Sequence, residues 1–321
     1  MSFKQSAQSA LENCLRVKPR ESVLVVTDTK KYFIGRAFFE AALELNCEAM
    51  LMVMKPRSRS GEEPPLAIAQ AMKSASVVIA PTTYSITHTK ARKEACAAGA
   101  RIATIPIQTN NKKLLREMFT SGGITADYSE IEARVKELIQ KLEHKSIVRI
   151  KSELGTDAIF ELSGREWQLD PGICVEPGSF INLPSGEIFI APANSNGRVV
   201  VDGPFGDMGM LKSPLEFYIR NNYVVEILGR NAEQSIKKLD ALGREARNLA
   251  ELGIGVNPKA KLRGIVLEDE KVAGTAHIAL GDNSTFGGTV KAKIHWDGII
   301  KSPRIFINGE ELKIGGQRDS L

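Results

Sequence analysis

At 321 residues, with 43% hydrophobic and 25% charged residues, the chain has room for two domains with separate cores and the make-up of a soluble globular protein. The net charge of +5 is spread through mixed stretches such as "EARVKELIQKLEHK". Such stretches suit a solvated helix face and exclude a phosphate-tracking stripe, and 6% aromatics leave no stacking platform for single strands. No apolar run reaches membrane-spanning length, the first residues lack the apolar core of a signal peptide, and Cys14, Cys47, Cys96 and Cys174 form no CxxC pair. The expectation is a cytoplasmic protein with reduced thiols and with neither nucleic acid nor membrane as partner.

The first part of the chain alternates strand and helix patterns. "SVLVVTD" (22–28) is a continuous β-branched run of the kind found in a doubly covered parallel strand. "FIGRAFFEAALELN" (33–46) has helical spacing, "EAMLMVM" (48–54) reads as a second strand, and "PPLAIAQAMKSA" (64–75) as a helix with prolines at its start. "SVVIAPTT" (76–83) is a third strand, "HTKARKEACAAGA" (88–100) a helix ending at glycine, and "RIATIPI" (101–107) a fourth strand. This β-α-β series predicts a parallel sheet with helices on both faces, a Rossmann-like α/β domain over 1–145. Its first strand leads into "TDTKKYFIG", without GxGxxG or P-loop glycines, so a dinucleotide site is not expected.

"DYSEIEARVKELIQKLEHKS" (127–146) predicts a long amphipathic helix, with Ser129 and Glu132 at capping-box spacing. Beyond it the pattern changes to short strands separated by turn residues: "SIVRIKSE", "AIFELSG", "EWQLD", "EIFIAP", "RVVVDGPF" and "YVVEILG". "SNGR" (195–198) and "INGE" (307–310) read as hairpin turns, and "NAEQSIKKLDALGREARNLAEL" (231–252) as one more helix. The fold class expected is therefore α/β: a parallel-sheet domain, then a β-rich α+β metal-binding domain over 146–321. "GPFGDMGML" (203–211) has spaced glycines but no strand-to-helix frame, so it reads as a turn of the β-rich domain.

The chemistry concentrates late in the chain. His277 and His295 are two of only four histidines, and Asp297 follows His295 by two. In an extended strand such a pair shares a face, roughly 7 Å apart at Cα, so His295 and Asp297 can ligate one cation. His277, in "TAHIALG", sits in a second extended segment. Imidazoles with a carboxylate suit a divalent zinc, cobalt, manganese or iron. Two further carboxylates stand out. Glu187 follows the Pro–Gly turn of "NLPSGEIFIAP". Glu251 closes the helix expected over 231–252, where the helix dipole disfavours a carboxylate and a cation would offset the cost. Each alone also fits a solvated carboxylate, and a lone H-x-D also fits hydrogen-bonded residues with no metal. The five together suffice for two metals and an activated water.

In this order, "NLPSGEIFIAP", "LAELGIGVNP", "GTAHIALGDNSTFGG" and "IHWDGII" resemble the aminopeptidase T/aminopeptidase S metallopeptidase family, and "GEEPPLAIAQAM" and "THTKARKEACAAGARIATIP" resemble its shorter branch. The resemblance covers nearly the whole chain. It implies that Glu187, Glu251, His277, His295 and Asp297 hold one or two divalent ions (zinc, cobalt or manganese) between the domains of a homodimeric aminopeptidase. A metal-bound water would then release N-terminal residues from small peptides. The peptidases carry a tyrosine a few residues after the first histidine. This chain has "HIALGDNSTF" there, with Ser284 and Phe286. The same superfamily includes 2,5-dihydroxypyridine dioxygenases, in which an aspartate and two histidines hold a single iron(II). That implies His277, His295 and Asp297 as the iron ligands of an alternative, ring-cleaving enzyme; a binding protein that lost catalysis is a third reading. These relatives also have a histidine in the first domain, and His88 in "YSITHTKAR" stands as its counterpart. At the carboxyl edge of the sheet it fits an acid/base or substrate-orienting catalytic group as well as it fits a solvated helix-entry residue. "DNSTFGG" (282–288) fits either an oxyanion-binding loop or a flexible glycine turn.

Overall fold

The structure, a computed structural model, describes residues 1–142, 146–230 and 232–313. The chain divides into two units, Met1–Glu132 with Pro171–Ser185, and Ala133–Asp170 with Gly186–Leu321. The sequence pattern suggested one boundary near residue 145. The observed division falls inside a helix instead, and the first unit includes a second segment.

Helices and strands alternate through the first unit. The order is α1 (Phe3–Ser9), β1 (Ser22–Asp28), α2 (Tyr32–Glu44), β2 (Glu48–Met54), α3 (Leu66–Ser74), β3 (Val77–Thr82), α4 (Lys90–Ala97), β4 (Arg101–Pro106), α5 (Lys112–Ser121) and α6 (Tyr128–Leu142). β1 and β3 are buried along nearly their whole length, as their unbroken apolar runs require. Leu24, Val26, Val78, Ala80 and Ile102 pack on Ile68 and Met72 of α3 and on Ala91 and Ala95 of α4. The helix at 88–100 ends as its glycine suggested, with Gly99 at φ +99°. α6 is capped differently from expectation. The Asp127 side chain accepts from the backbone N–H groups of Ser129 and Glu130, so the cap lies two residues before Ser129. The end of the expected helix, 143–145, lies outside the described residues.

The chain continues with β5 (Ile147–Lys151), β6 (Asp157–Glu161) and β7 (Gln168–Asp170) in the second unit. It then returns to the first as β8 (Phe180–Asn182), which pairs parallel with β4. The first sheet thus has the order β2-β1-β3-β4-β8, parallel throughout. The remaining elements are β9 (Glu187–Ile190), β10 (Asn194–Val201), β11 (Leu215–Arg220), β12 (Tyr223–Leu228), α7 (Ala232–Leu242), β13 (Leu249–Gly255), α8 (Val266–Asp269), β14 (Ala276–Gly281), β15 (His295–Ile300), β16 (Arg304–Ile307) and β17 (Glu310–Leu312). They build one sheet of order β12-β11-β10-β6-β5-β16-β17 and another of order β15-β14-β13-β9-β7. Gly298 of the second sheet brings β15 against Val201 and Phe205, where a side chain would not fit. No helix among the described residues is long and apolar enough to cross a membrane.

Two local expectations fail here for one reason each. "SNGR" is not a turn: it lies inside β10, paired with β6 and β11 on its two sides. Gly197 is required there because a side chain would run into the Asp157 carbonyl of β6. The helix expected over 231–252 stops at Leu242, before Gly243 at φ +99°. Residues 249–255 then form a central strand, which moves Glu251 from a helix end to mid-strand. "INGE" does turn, with Asn308 and Gly309 both at positive φ between β16 and β17.

Candidate metal centre

The sheet β15-β14-β13-β9-β7 alternates along every strand. Ile188 and Ile190, Leu252 and Ile254, Ile278 and Leu280, and Ile300 are buried on one face. The intervening residues form the other face: Asp170, Glu187, Glu251, His277, His295 and Asp297, spaced by Gly253, Gly255, Ala279 and Gly281. The register sets the rows. Glu251 and Asp297 both lie opposite Ala279, His277 opposite Gly253, His295 opposite Gly281, and Glu187 opposite both Gly255 and Asp170. The small residues make the room. A Cβ at Gly253 would run into the His277 ring, and one at Gly255 would meet the backbone of 270–272 passing over the strand.

The side chains converge as the alternation of "HWD" suggested. His295 Nε2 lies 3.4 Å from Asp297 Oδ1 and 3.3 Å from Glu251 Oε2. Glu251 Oε1 lies 3.1 Å from His277 Nε2, which is 3.4 Å from Glu187 Oε2. Glu251, wedged between two imidazoles, is therefore the centre of the cluster. Ligand atoms of Glu251, His295 and Asp297 all lie within 4.8 Å of one another, and His277 adjoins them through Glu251. His295 Nδ1 is 2.8 Å from the Asp282 carbonyl, which can only accept, so Nδ1 carries the hydrogen and Nε2 faces the carboxylates. His277 Nδ1 and Glu187 Oε2 are buried, with no hydrogen-bond partner among the described residues. The His295 side chain is 33% exposed against 0% for His277, so the cluster opens to solvent on the His295 side. Phe286 stands edge-on to His295, with ring centroids 5.7 Å apart, and edge-on to Phe189 at 5.4 Å.

The charges are mutually supported. Burial opposes ionisation of Glu251, but hydrogen bonds from His277 and His295 outweigh it and take its carboxyl down to about 2. Burial likewise opposes a proton on either imidazole. Glu251 and Glu187 raise His277 nonetheless, and Asp297 and Glu251 raise His295 well above its ordinary value. These donors fit a divalent cation. Bonds of about 2.1 Å separate neighbouring ligand atoms by about 3.0 Å at right angles and about 3.4 Å in a tetrahedron, and the contacts around Glu251 and His295 fall in that range.

Glu187 also borders a second neighbourhood. The Lys271 ammonium contacts its Oε1 directly, lies 2.6 Å from Glu270 Oε1 and 3.9 Å from Asp170 Oδ2, and is buried. Burial opposes the charge on Lys271, yet the three carboxylates hold its proton above the ordinary lysine range. Burial pushes Glu187 up to about 7 against the pull of Lys271. These two shifts disagree about the pair, and the direct ammonium–carboxylate contact favours the ionised form. Lys271, Glu270 and Asp170 were not legible as site residues: "LEDEKVAG" has the composition of a solvated turn. His88 lies in the first unit, exposed, in the loop after β3 and just before Thr89, the cap of α4.

Fold and donor set together describe a two-unit α/β protein with a candidate metal centre in its second unit. A sequence family described as 2,5-dihydroxypyridine 5,6-dioxygenase matches residues 2–317, and the chain belongs to that family. No curated protein matches it in sequence. The structure of 2,5-dihydroxypyridine dioxygenase from Pseudomonas putida KT2440 is similar with a TM-score of 0.81 at 18% identity, over 99% of this chain and 97% of that one. Wild-type AmpT from Thermus thermophilus is similar with a TM-score of 0.71 at 18% identity, over 97% of this chain and 96% of that one. At such identities the likeness is one of fold. The kinship drawn from the four motifs holds. The family match stands with the dioxygenase branch, against the leading expectation of a peptidase.

Proposed function

We propose that the chain is a mononuclear iron(II) dioxygenase that opens a dihydroxylated pyridine or a closely similar ring. The observation that carries this reading is the contact of Lys271 with Glu187. In the five-residue, two-metal reading Glu187 is one of the ligands that complete the second coordination sphere. Here an ammonium already engages that carboxylate. The donors that remain, His277, His295 and Asp297 with Glu251 between the imidazoles, contain the two-histidine, one-carboxylate set that suits a non-haem iron(II) with open positions.

Iron(II) held there supplies the redox chemistry by which dioxygen is reduced as the ring is oxidised and cleaved, both oxygen atoms ending in the product. The protein's part is to position and to exclude water. The Asp282 carbonyl fixes the His295 tautomer. Phe286 and Phe189 give the solvent side of the cluster an apolar aromatic wall suited to a flat ring. His88 is assigned to substrate orientation at the carboxyl end of β3, so His88→Ala lowers turnover and leaves metal content unchanged.

The test is anaerobic loading with iron(II), followed by oxygen uptake on 2,5-dihydroxypyridine. One oxygen consumed per ring opened supports the reading. No uptake by the iron-loaded protein, together with release of N-terminal residues from leucyl peptides on zinc, cobalt or manganese, would return the chain to the peptidases.

A further inference from the structure

Lysine is almost never fully buried unless paired, and the Lys271 side chain is only 1% exposed. Its position follows from the backbone around it. Gly255 lacks the Cβ that would block residues 270–272, so this segment crosses β13, where the Lys271 carbonyl accepts from Asn257 N–H at 2.8 Å. The ammonium thereby reaches the polar face of the sheet. There it meets Glu187 at the start of β9, Asp170 at the end of β7 and Glu270 beside it in sequence. An ammonium is a compact charge with three donors, matched here by three carboxylates.

Glu187 is the partition between this pocket and the metal centre. One of its oxygens is held by Lys271; the other accepts no hydrogen bond from the described residues and faces His277 Nε2 at 3.4 Å. Without the ammonium, the buried Glu187 and the partly buried Glu270 and Asp170 would stand together with no cation among them, an arrangement that favours protonation or uptake of a cation. Oxygen donors of this kind suit a hard divalent ion.

We propose that Lys271 stands in place of a second divalent cation: its ammonium positions Glu187 and closes a carboxylate pocket of Glu187, Glu270 and Asp170 to metal, so that the chain takes one ion where a chain without this lysine would take two. The inference rests on the metal-centre reading above and concerns a residue outside that centre. Lys271 is thus a positioning residue that sets metal number.

The experiment counts manganese(II) bound per chain at saturation, by titration calorimetry and by metal analysis after gel filtration, in the full-length protein and in K271A. One ion in the natural chain and two in K271A support the proposal. One ion in both overturns it and leaves the metal centre standing, as does two in the natural chain. None in the natural chain overturns the metal centre itself. If K271A folds only when manganese(II) is present during refolding, the ions counted in the refolded protein decide in the same way: two support the proposal and one overturns it. A second variant decides the matter should K271A fail to fold under either condition. In E187Q, with Lys271 retained, the count stays at one if Glu187 serves the ammonium. It falls to none if Glu187 is a required metal ligand, which overturns the proposal.

Discussion

The two units bury their sheets by different rules. In the parallel sheet, β1 and β3 are buried at nearly every position because helices cover both faces. In the sheet that carries the candidate centre, β13, β14 and β15 alternate. Ile278 and Leu280 go to one side and His277 to the other, and glycine or alanine fills the positions that a large side chain would block. The first pattern stabilises and specifies little else. The second gives one face of the strands to polar groups that hold one another, with small residues between them. Damage to the first sheet should therefore appear as lost stability, and damage to the second as lost chemistry and altered pH dependence.

The sharpest break of this contrast removes ligands. H295A and D297A should each lose metal binding, with an effect beyond the about 10–100-fold that loss of an outer partner costs. Amide exchange protection in β1 and β3 should stay as it is. Metal content equal to that of the natural chain in both variants would eliminate the centre.

Next in size is a pH effect that belongs to the second unit. Burial, with Glu268 adding to it, pushes the Asp269 carboxyl up to about 7, against hydrogen bonds from backbone N–H groups, and its Oδ2 has no hydrogen-bond partner among the described residues. An acid whose folded pKa is raised stabilises the fold while protonated. That contribution is complete below the ordinary value of 3.8 and is lost as pH rises through about 7. At about 1.4 kcal/mol per unit the loss is on the order of 4 kcal/mol. D269N should remove it, so denaturant midpoints of the two proteins, compared at about pH 5 and about pH 8, should differ in their pH dependence. Parallel midpoints would mean that Asp269 is already ionised in the fold.

In the first unit, L24A opens a cavity among Val26, Val78 and Ile68 and should cost about 3 kcal/mol. Bound metal per folded chain should not change; a fall in that ratio would mean that the two units are not energetically separate. The smallest change tests the glycine rule directly. Alanine for glycine in a strand interior ordinarily gains about 0.5–1 kcal/mol. G253A should instead cost about 1–3 kcal/mol, because the new Cβ meets the His277 ring, and metal affinity should fall with it. A stabilised G253A that binds metal as before would show that His277 can move aside without consequence.

Much of this protein was legible in its sequence because the signals were local. Continuous apolar runs marked β1 to β4, Gly99 marked a helix end, and the positive-φ pair Asn308–Gly309 marked a hairpin. The spacing of His295 and Asp297 placed them on one face because a strand has a period of two. What needed the tertiary structure was long-range pairing. "REARNLAEL" contains good helix formers, and only β9 and β14 on its two sides make Leu249–Gly255 a strand. "SNGR" is turn-like until β6 and β11 claim its hydrogen bonds, and β8 is three residues given meaning by β4. Lys271 is the clearest case. Its neighbours in sequence are acidic and suggest a solvated turn. Its burial depends on a glycine in one strand and carboxylates in two others, and no local pattern encodes a charge balance assembled from three separate segments.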